Sequence, residues 1–329
     1  MIKKVHPLFR LLFEKAPVVI DGRLLHGGRT GIGRISKLMI EAAAEARHVY
    51  VLGASGEVAF KNVTWLETKC DHFGPWFLLQ NFLLNFLVFS RPRVIFPHYF
   101  SALCFIRKFV FVHDIMAITD HEKFHSRFSG IKRMVLKQVV GIGLANADVA
   151  CPSNFSCDAL DAEFHVRAEC LPNGTLLDAG NPATLARADE AVPSRPLTVG
   201  YVGNRRPHKN LPGLQQFCDN NGYRLEFFDQ YKPAQDHDDA LLAEFIQQVD
   251  AIALFSHCEG FGIPIVEGAL FGKYVFCSKI PVFFELAEVG INFVGVDTVV
   301  TDLVPSRPAV VDQRYRFQKM TAFIRHYVS

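Results

Sequence analysis

The sequence predicts an α/β protein of two domains, each built on a parallel sheet. Three observations carry that prediction. Short apolar runs of strand length recur along the 329 residues, and several open into glycine-containing turns followed by helical patterns. The length suits two domains at roughly 150 residues each. From Thr175 to Pro196 the chain is polar and rich in Ala, Asp and Pro without apolar periodicity, the composition of a linker. The expected division is 1–178, a linker at 179–196, 197–310, and a terminal helix over 311–329.

Half of the residues are hydrophobic and 21% are charged, so the chain is globular, not disordered. Lys plus Arg (35) nearly balances Asp plus Glu (33), which gives no general argument for a nucleic-acid partner. None of the eight cysteines forms a Cys-x-x-Cys pair, so zinc spacing is missing and no metal site is expected. Several cysteines lie in apolar strand-like runs, which suits reduced thiols in a cytoplasmic protein, and the N-terminus has no signal-peptide architecture.

In chain order, residues 1–15 mix Leu8, Phe9, Leu11, Leu12 and Phe13 with Lys3, Lys4, Arg10 and Lys15. They read as a leading helix or arm, and secondly as a basic amphipathic segment for an anionic membrane surface. Pro17–Asp21 is a buried strand. It leads into a glycine-rich turn containing Arg29, Gly31, Gly33 and Arg34, then a helical pattern through Ala46. Ser36 replaces the third glycine of a dinucleotide fingerprint, and the strand His48–Leu52 ends without an acid for a ribose, so NAD is rejected. The turn still offers backbone N–H groups to a phosphate or sugar oxygen.

Pro75–Phe89 is the most apolar segment, too short for the roughly 20 residues of a membrane span. It reads as a buried helix before the strand Arg93–Phe96, with partial burial in a bilayer interface as the second reading. Lys108–Asp114 is a strand that places His113 and Asp114 at its carboxyl end, the ligand-binding edge of a parallel sheet. A helix over Phe128–Val140 carries Arg127, Lys132, Arg133 and Lys137 as a basic face, solvated or set against phospholipid. Two short strands end at Asn154 and Gly174.

The second half opens with the strand Leu197–Val202 and then Gly203-Asn-Arg-Arg-Pro-His-Lys-Asn210. Arg205, Arg206 and Lys209 within five residues, after a glycine and before a helix, form an anion cradle. Tyr223–Phe228 is a strand and Ala240–Gln248 a helix, with Asp236, Asp238 and Asp239 read as capping acids. Arg314–Val328 is a last amphipathic helix.

The stretch Ser256–Gly272 concentrates the chemistry. It runs strand, glycine loop, short helix, strand, with Pro264 at the helix start and Gly272 at its end. Glu259 falls in the turn, and Glu267, eight residues on, in the first turn of the helix.

In this order the motifs resemble the retaining nucleotide-sugar glycosyltransferases with the GT-B fold, of the family 4 type. Glu259-Gly-Phe-Gly-Ile-Pro-Ile-Val-Glu267 is similar to that family's Glu-x7-Glu signature. Val202–Leu211 resembles its donor-diphosphate loop, Thr30–Arg34 the glycine loop of its acceptor domain, Val112–Asp114 its histidine motif, and Pro172–Gly174 the turn before its linker. The match covers most of the chain. The resemblance implies two facing Rossmann-like domains, acceptor-binding then donor-binding, with the C-terminal helix returning to the first.

It also implies roles. Glu259, His113, Lys209, Arg205 and Arg206 would be catalytic, with the two arginines equal candidates for the diphosphate. Glu267 would hold the donor ribose, with Gly203, Gly260, Phe261, Gly262, Ile263, Gly31 and Gly33 around the donor. Arg34 and Asp114 would face the acceptor. The implied reaction is retaining, metal-independent transfer of a mannose- or glucose-type hexose from a GDP- or UDP-linked sugar to a glycan or lipid-linked acceptor of a bacterial surface polysaccharide or lipopolysaccharide. No cofactor beyond that co-substrate is expected. The expected location is cytoplasmic, with possible peripheral contact at the inner membrane. His208 departs from the family, which commonly has an arginine there. A nucleotide-sugar epimerase on the same fold and a non-catalytic sugar-binding partner are the alternatives. The epimerase lacks a convincing set of extra acids here, and the intact Glu259, Glu267 and Lys209 count against the second.

Overall fold

The computed structural model describes residues 11–23, 25, 31–53, 61–67, 73–101, 106–119, 130–180, 195–231 and 239–329. The arm before Leu11, together with Arg29, Arg127, Asp236, Asp238 and residues 181–194 of the linker, lies outside them.

Two parallel sheets organise the chain. The first takes β1 (Val18–Asp21), β2 (Val49–Gly53), β3 (Val63–Glu67), β4 (Arg93–Phe96), β5 (Lys108–Phe111), β6 (Ala147–Cys151) and β7 (Glu169–Cys170) in the order β3-β2-β1-β4-β5-β6-β7. Between these strands run α1 (Gly31–Ala46), α2 (Phe73–Phe86), α3 (Met116–Thr119), α4 (Gly130–Leu144) and α5 (Asn154–Phe164). The second sheet takes β8 (Thr198–Tyr201), β9 (Arg224–Phe227), β10 (Ala251–Leu254), β11 (Tyr274–Cys277) and β12 (Asn292–Phe293) in the order β12-β11-β10-β8-β9. Its helices are α6 (Leu211–Asn220), α7 (Asp239–Gln248), α8 (Ile263–Leu270), α9 (Pro281–Phe284) and α10 (Pro308–Arg314), and α11 (Gln318–Val328) closes the chain.

Both sheets are covered on two faces, which is why their strands read as continuous apolar runs. Side chains still alternate with a period of two. Val19, Tyr50, Leu52, Val94, Phe96 and Val110 enter one core with Leu84, Val140, Leu144 and Leu160 of α2, α4 and α5. Their neighbours Val18, Ile20, Val49, Val51, Ile95, Phe109 and Phe111 enter the other with α1 and α11. In the second sheet, Ile252, Leu254, Val275 and Cys277 face α7 and α8, while Val199, Tyr201, Ala253 and Phe276 face α6.

Strand order reverses between β1 and β4 and again between β8 and β10. In open α/β sheets a crevice opens at such points beyond the carboxyl ends of the strands. The loops read from sequence as functional follow β1, β5, β8 and β10, around these two crevices.

The C-terminal helix returns to the first domain. Met320, Ile324 and Val328 of α11 are buried against α1, and Arg93 Nη1 donates to the Tyr327 carbonyl at 2.9 Å. The helix is shorter than the sequence reading, which began at Arg314. α10 ends there and stays with the second domain through Val311, and the chain crosses over at Tyr315–Phe317.

The reading of residues 75–89 as a buried helix is corrected. The segment is helical, but Leu78, Phe82, Phe86 and Phe89 are exposed while polar Gln80 is buried. An apolar residue on every face leaves no periodicity to show which side packs; among the described residues Leu83, Leu84 and Leu87 join the core under the sheet, and Gln80 is buried. Among the described residues the cysteines form no disulfide, and Cys151, Cys218, Cys258 and Cys277 are buried.

Candidate active site

The cation loop follows β8 directly. Gly203 has a positive φ of +156°, which side chains with a Cβ rarely adopt, and a short 3-10 turn, Pro207–Lys209, hands the chain to α6, whose N-cap Asn210 accepts from Gly213 N–H at 3.3 Å. The structure separates the two arginines. Arg205 reaches back along β9, donating to both oxygens of Asp229 at 2.7 and 2.9 Å and stacking 4.4 Å over the Phe227 ring. Arg206 is exposed and near enough to Tyr99 and Asp114 of the other domain for its charge to favour their ionised forms. Lys209 forms an ion pair with Glu259, whose Oε1 also accepts from Ser256 Oγ at 2.6 Å. The loops after β8 and β10 are tied by His257 N–H donating to the His208 carbonyl at 2.8 Å.

Two glycines shape the β10 loop. Gly262 N-caps α8 with φ +113°, a conformation costly for a residue with a Cβ. Gly260 is demanded by space. A Cβ there would stand 2.0 Å from the His113 carbonyl oxygen, in the other domain. The Gly260 carbonyl accepts from Ser153 Oγ at 2.8 Å and Ser156 Oγ at 3.1 Å, two hydroxyls at the start of α5. Glu285 of the second domain caps the same helix, accepting from Asn154 N–H at 2.8 Å and Phe155 N–H at 2.6 Å. Phe261 turns its side chain into the core of its own domain, leaving the cleft only its backbone. Ile263 packs across the cleft on the first domain beside Gly31.

Glu267 sits in the second turn of α8, not the first, because the helix starts at Ile263. It is buried, and burial pushes its pKa up while Arg34 pulls it back. Arg34, in the first turn of α1, donates from Nη1 to Glu267 Oε1 at 2.6 Å and pairs through Nη2 with Asp239 at 3.1 Å. Arg34 thus meets two carboxylates of the second domain, and Asp239 is a cross-domain partner as well as the opening residue of α7. Gly31 and Gly33 begin α1, whose N-terminus carries the positive end of the helix dipole.

His113 and Asp114 leave β5 opposite Glu259. His113 Nε2–H donates to the Pro97 carbonyl at 2.9 Å, which fixes Nδ1 as the acceptor nitrogen. Burial pushes its pKa down to about 4, so the ring is neutral at pH 7. Asp114 Oδ1 accepts from Met116 N–H at 3.2 Å. Burial raises the Asp114 carboxyl to about 6, Glu259 adding to the rise while Lys209 and Arg206 oppose it.

That shift has a measurable sign. The folded carboxyl binds its proton above the unfolded value of 3.8, so stability falls as pH rises from about 4 through 6 and is level above. Asp114→Asn keeps the neutral form throughout. The variant is expected to melt with the wild type near pH 4 and above it at pH 7.5, by about 1 kcal/mol because the group is half-buried. A gap independent of pH contradicts the assignment.

Sequence reasoning missed several neighbours. Tyr99 follows β4 and lies where Asp114 and Arg206 act on it. His98 Nε2 is 2.9 Å from Asp21 Oδ2, both buried at the carboxyl ends of β4 and β1. Their position just after predicted strands was the available signal. Ser153, Ser156 and Glu285 gave none beyond ordinary turn and cap chemistry. Among the described residues no three His, Cys, Asp or Glu side chains are arranged to hold a metal ion.

No family model matches the chain, and no curated protein matches it. Solved structures do. HepE of Anabaena, in complex with UDP and glucose, superposes with a TM-score of 0.61 at 15% identity over 95% of this chain and 99% of that one. Sucrose-phosphate synthase from Thermosynechococcus elongatus gives 0.57 at 16% over 96% and 92%. WaaG, a glycosyltransferase involved in lipopolysaccharide biosynthesis, gives 0.57 at 14% over 94% and 95%. At these identities the likeness is one of fold: two facing Rossmann-like domains, the GT-B architecture.

Proposed function

We propose that the chain is a glycosyltransferase that moves a sugar from a nucleotide-diphosphate donor to an acceptor held in the cleft between its domains. One observation carries the reading. Glu259 and Lys209, from the loops flanking the β8/β10 crevice, meet His113 and Asp114 from the first sheet at a contact so close that only glycine fits at 260. Solved structures of the same fold hold UDP and glucose, or UDP-2-fluoro glucose.

The chemistry follows from the residue types. The donor brings an activated leaving group, so the barrier lies in the departing diphosphate's charge and the electron-poor sugar carbon. Lys209 and Arg206 are preorganised cations for the first. Glu259 and neutral His113 suit the hydroxyls of the transferred hexose, and Glu267 a ribose. With positive charge supplied by side chains, the reading includes metal independence: a chelator is to leave turnover unchanged. Front-face attack with retention of anomeric configuration completes it. A mannose- or glucose-type donor and a glycan or lipid-linked acceptor of a bacterial surface polysaccharide are the finer assignments, with a peripheral position at the membrane for a lipid-linked one.

A thermal-shift panel of GDP- and UDP-linked sugars tests the donor. Saturation at about 100 times Kd stabilises by about 2.7 kcal/mol, a rise of several degrees. Selective stabilisation by one donor is expected. A flat panel contradicts the reading, and binding without transfer to any acceptor favours the non-catalytic alternative.

A further inference from the structure

We propose that the outer face of α2 is a docking surface for an anionic lipid bilayer. Leu78, Phe82 and Phe86 of α2 are 72%, 67% and 65% exposed, and their spacing of four residues puts them on one stripe, which the 95% exposed Phe89 extends from the 3-10 turn Leu87–Ser90 directly after the helix. The stripe spans about 16 Å at the helical rise. Phe82 and Phe86 touch, with ring centroids 5.5 Å apart. At its far end the chain start joins it: Ala16 N–H donates to the Ser90 carbonyl at 2.8 Å, and Leu11 packs with Leu84 and Leu87 from beneath. Phe13, between those two contacts in sequence, is 83% exposed.

Exposed aromatic rings in a row are costly in water, and single soluble domains seldom carry such a patch without a partner. The charge around it selects the partner. From Phe73 to Arg93 there is no carboxylate, Glu14 beside Lys15 accepts from the Tyr50 hydroxyl at 2.6 Å, and Lys15 and Arg91 stand exposed where the stripe ends. A second copy laid on this stripe would offer no carboxylate from that stretch to answer those cations. Anionic headgroups would, because their negative surface potential attracts basic residues held beside it. The helix has 14 residues, and among the described residues no helix is long and apolar enough to cross a membrane. The surface therefore lies in the headgroup region, its rings in the acyl boundary. Since α2 runs back toward the amino end of β4, its Leu78 end is nearer the cleft. This deepens the lipid-linked reading of the acceptor, by setting the acceptor domain on the lipid surface.

The test needs neither donor nor acceptor, so its failure leaves sugar transfer standing and a failure of transfer leaves it standing. The full chain is sedimented with vesicles of phosphatidylcholine alone and of phosphatidylcholine with phosphatidylglycerol. Binding to the anionic vesicles is expected, at least tenfold above the neutral ones and reduced by salt. The triple variant Phe82→Ser, Phe86→Ser, Phe89→Ser, all at exposed sites, is expected to keep the wild-type melting temperature and lose that binding at least tenfold. Arg91→Gln with Lys15→Gln is expected to abolish the preference for anionic lipid. Undiminished binding by the triple variant overturns the proposal. So does a lipid-free dimer that the triple variant dissolves, since the occupant is then a second copy.

Discussion

Lys209→Met is expected to lower sugar transfer by about 100- to 1000-fold while the protein stays folded, the loss typical of removing one preorganised charge from a developing anion. Lys209 is the one cation of its loop that is partly buried and paired with Glu259, itself held by Ser256. On the proposed reading, a donor diphosphate would give Lys209 a second anion and free Glu259 for the sugar. Removing Lys209 alone leaves a mostly buried carboxylate without its counter-ion, which is destabilising. The double change Lys209→Met with Glu259→Gln removes both charges. It is therefore expected to recover melting temperature relative to Lys209→Met without recovering turnover. Arg205→Gln, by contrast, breaks an exposed pair with Asp229 and is expected to change transfer less than threefold.

Gly260→Ala is expected to abolish productive closure, cutting turnover at least 100-fold while donor affinity changes only a few-fold. The added Cβ would lie 2.0 Å from the His113 carbonyl oxygen and 3.1 Å from Asp114 Cβ. The first of these is backbone and cannot rotate away, so the β10 loop must withdraw. Withdrawal breaks the hydrogen bonds from Ser153 and Ser156 to the Gly260 carbonyl and moves Glu259 away from His113. A displacement near 1 Å in an oriented site costs on the order of 100-fold in rate. The donor loops Gly203–Asn210 and Gly262–Glu267 stay in one domain, so binding survives. Steady-state kinetics separate the two effects; unchanged turnover shows that the closed contact is not used in the reaction.

What could be read from the sequence was what is local. β1, β5, β8, β10 and β11 are continuous apolar runs because both faces of each sheet are covered. The cradle of Lys209 and the Glu259–Glu267 spacing each lie within one loop and one helix. The relations that join the domains were not legible. Arg34 and Glu267 are 233 residues apart, Ser153 and Gly260 107, Asn154 and Glu285 131. Nothing about an arginine after a glycine turn states which carboxylate it will meet. Local pattern therefore pairs neither Arg34 with Glu267 nor Asp239 with Arg34. The same limit misled the reading of α2. A segment with Phe and Leu at nearly every position has no preferred inner face, and tertiary packing chose the side with Gln80.

Amide hydrogen exchange, with and without the donor that the thermal panel selects, tests the central claim most directly. If the cleft holds a nucleotide sugar between the two domains, protection is to rise in Gly203–Asn210, in Ser256–Gly272 and in His113–Met116 together. Protection confined to other segments, or no change in the two donor loops at saturating donor, would contradict the placement of the site.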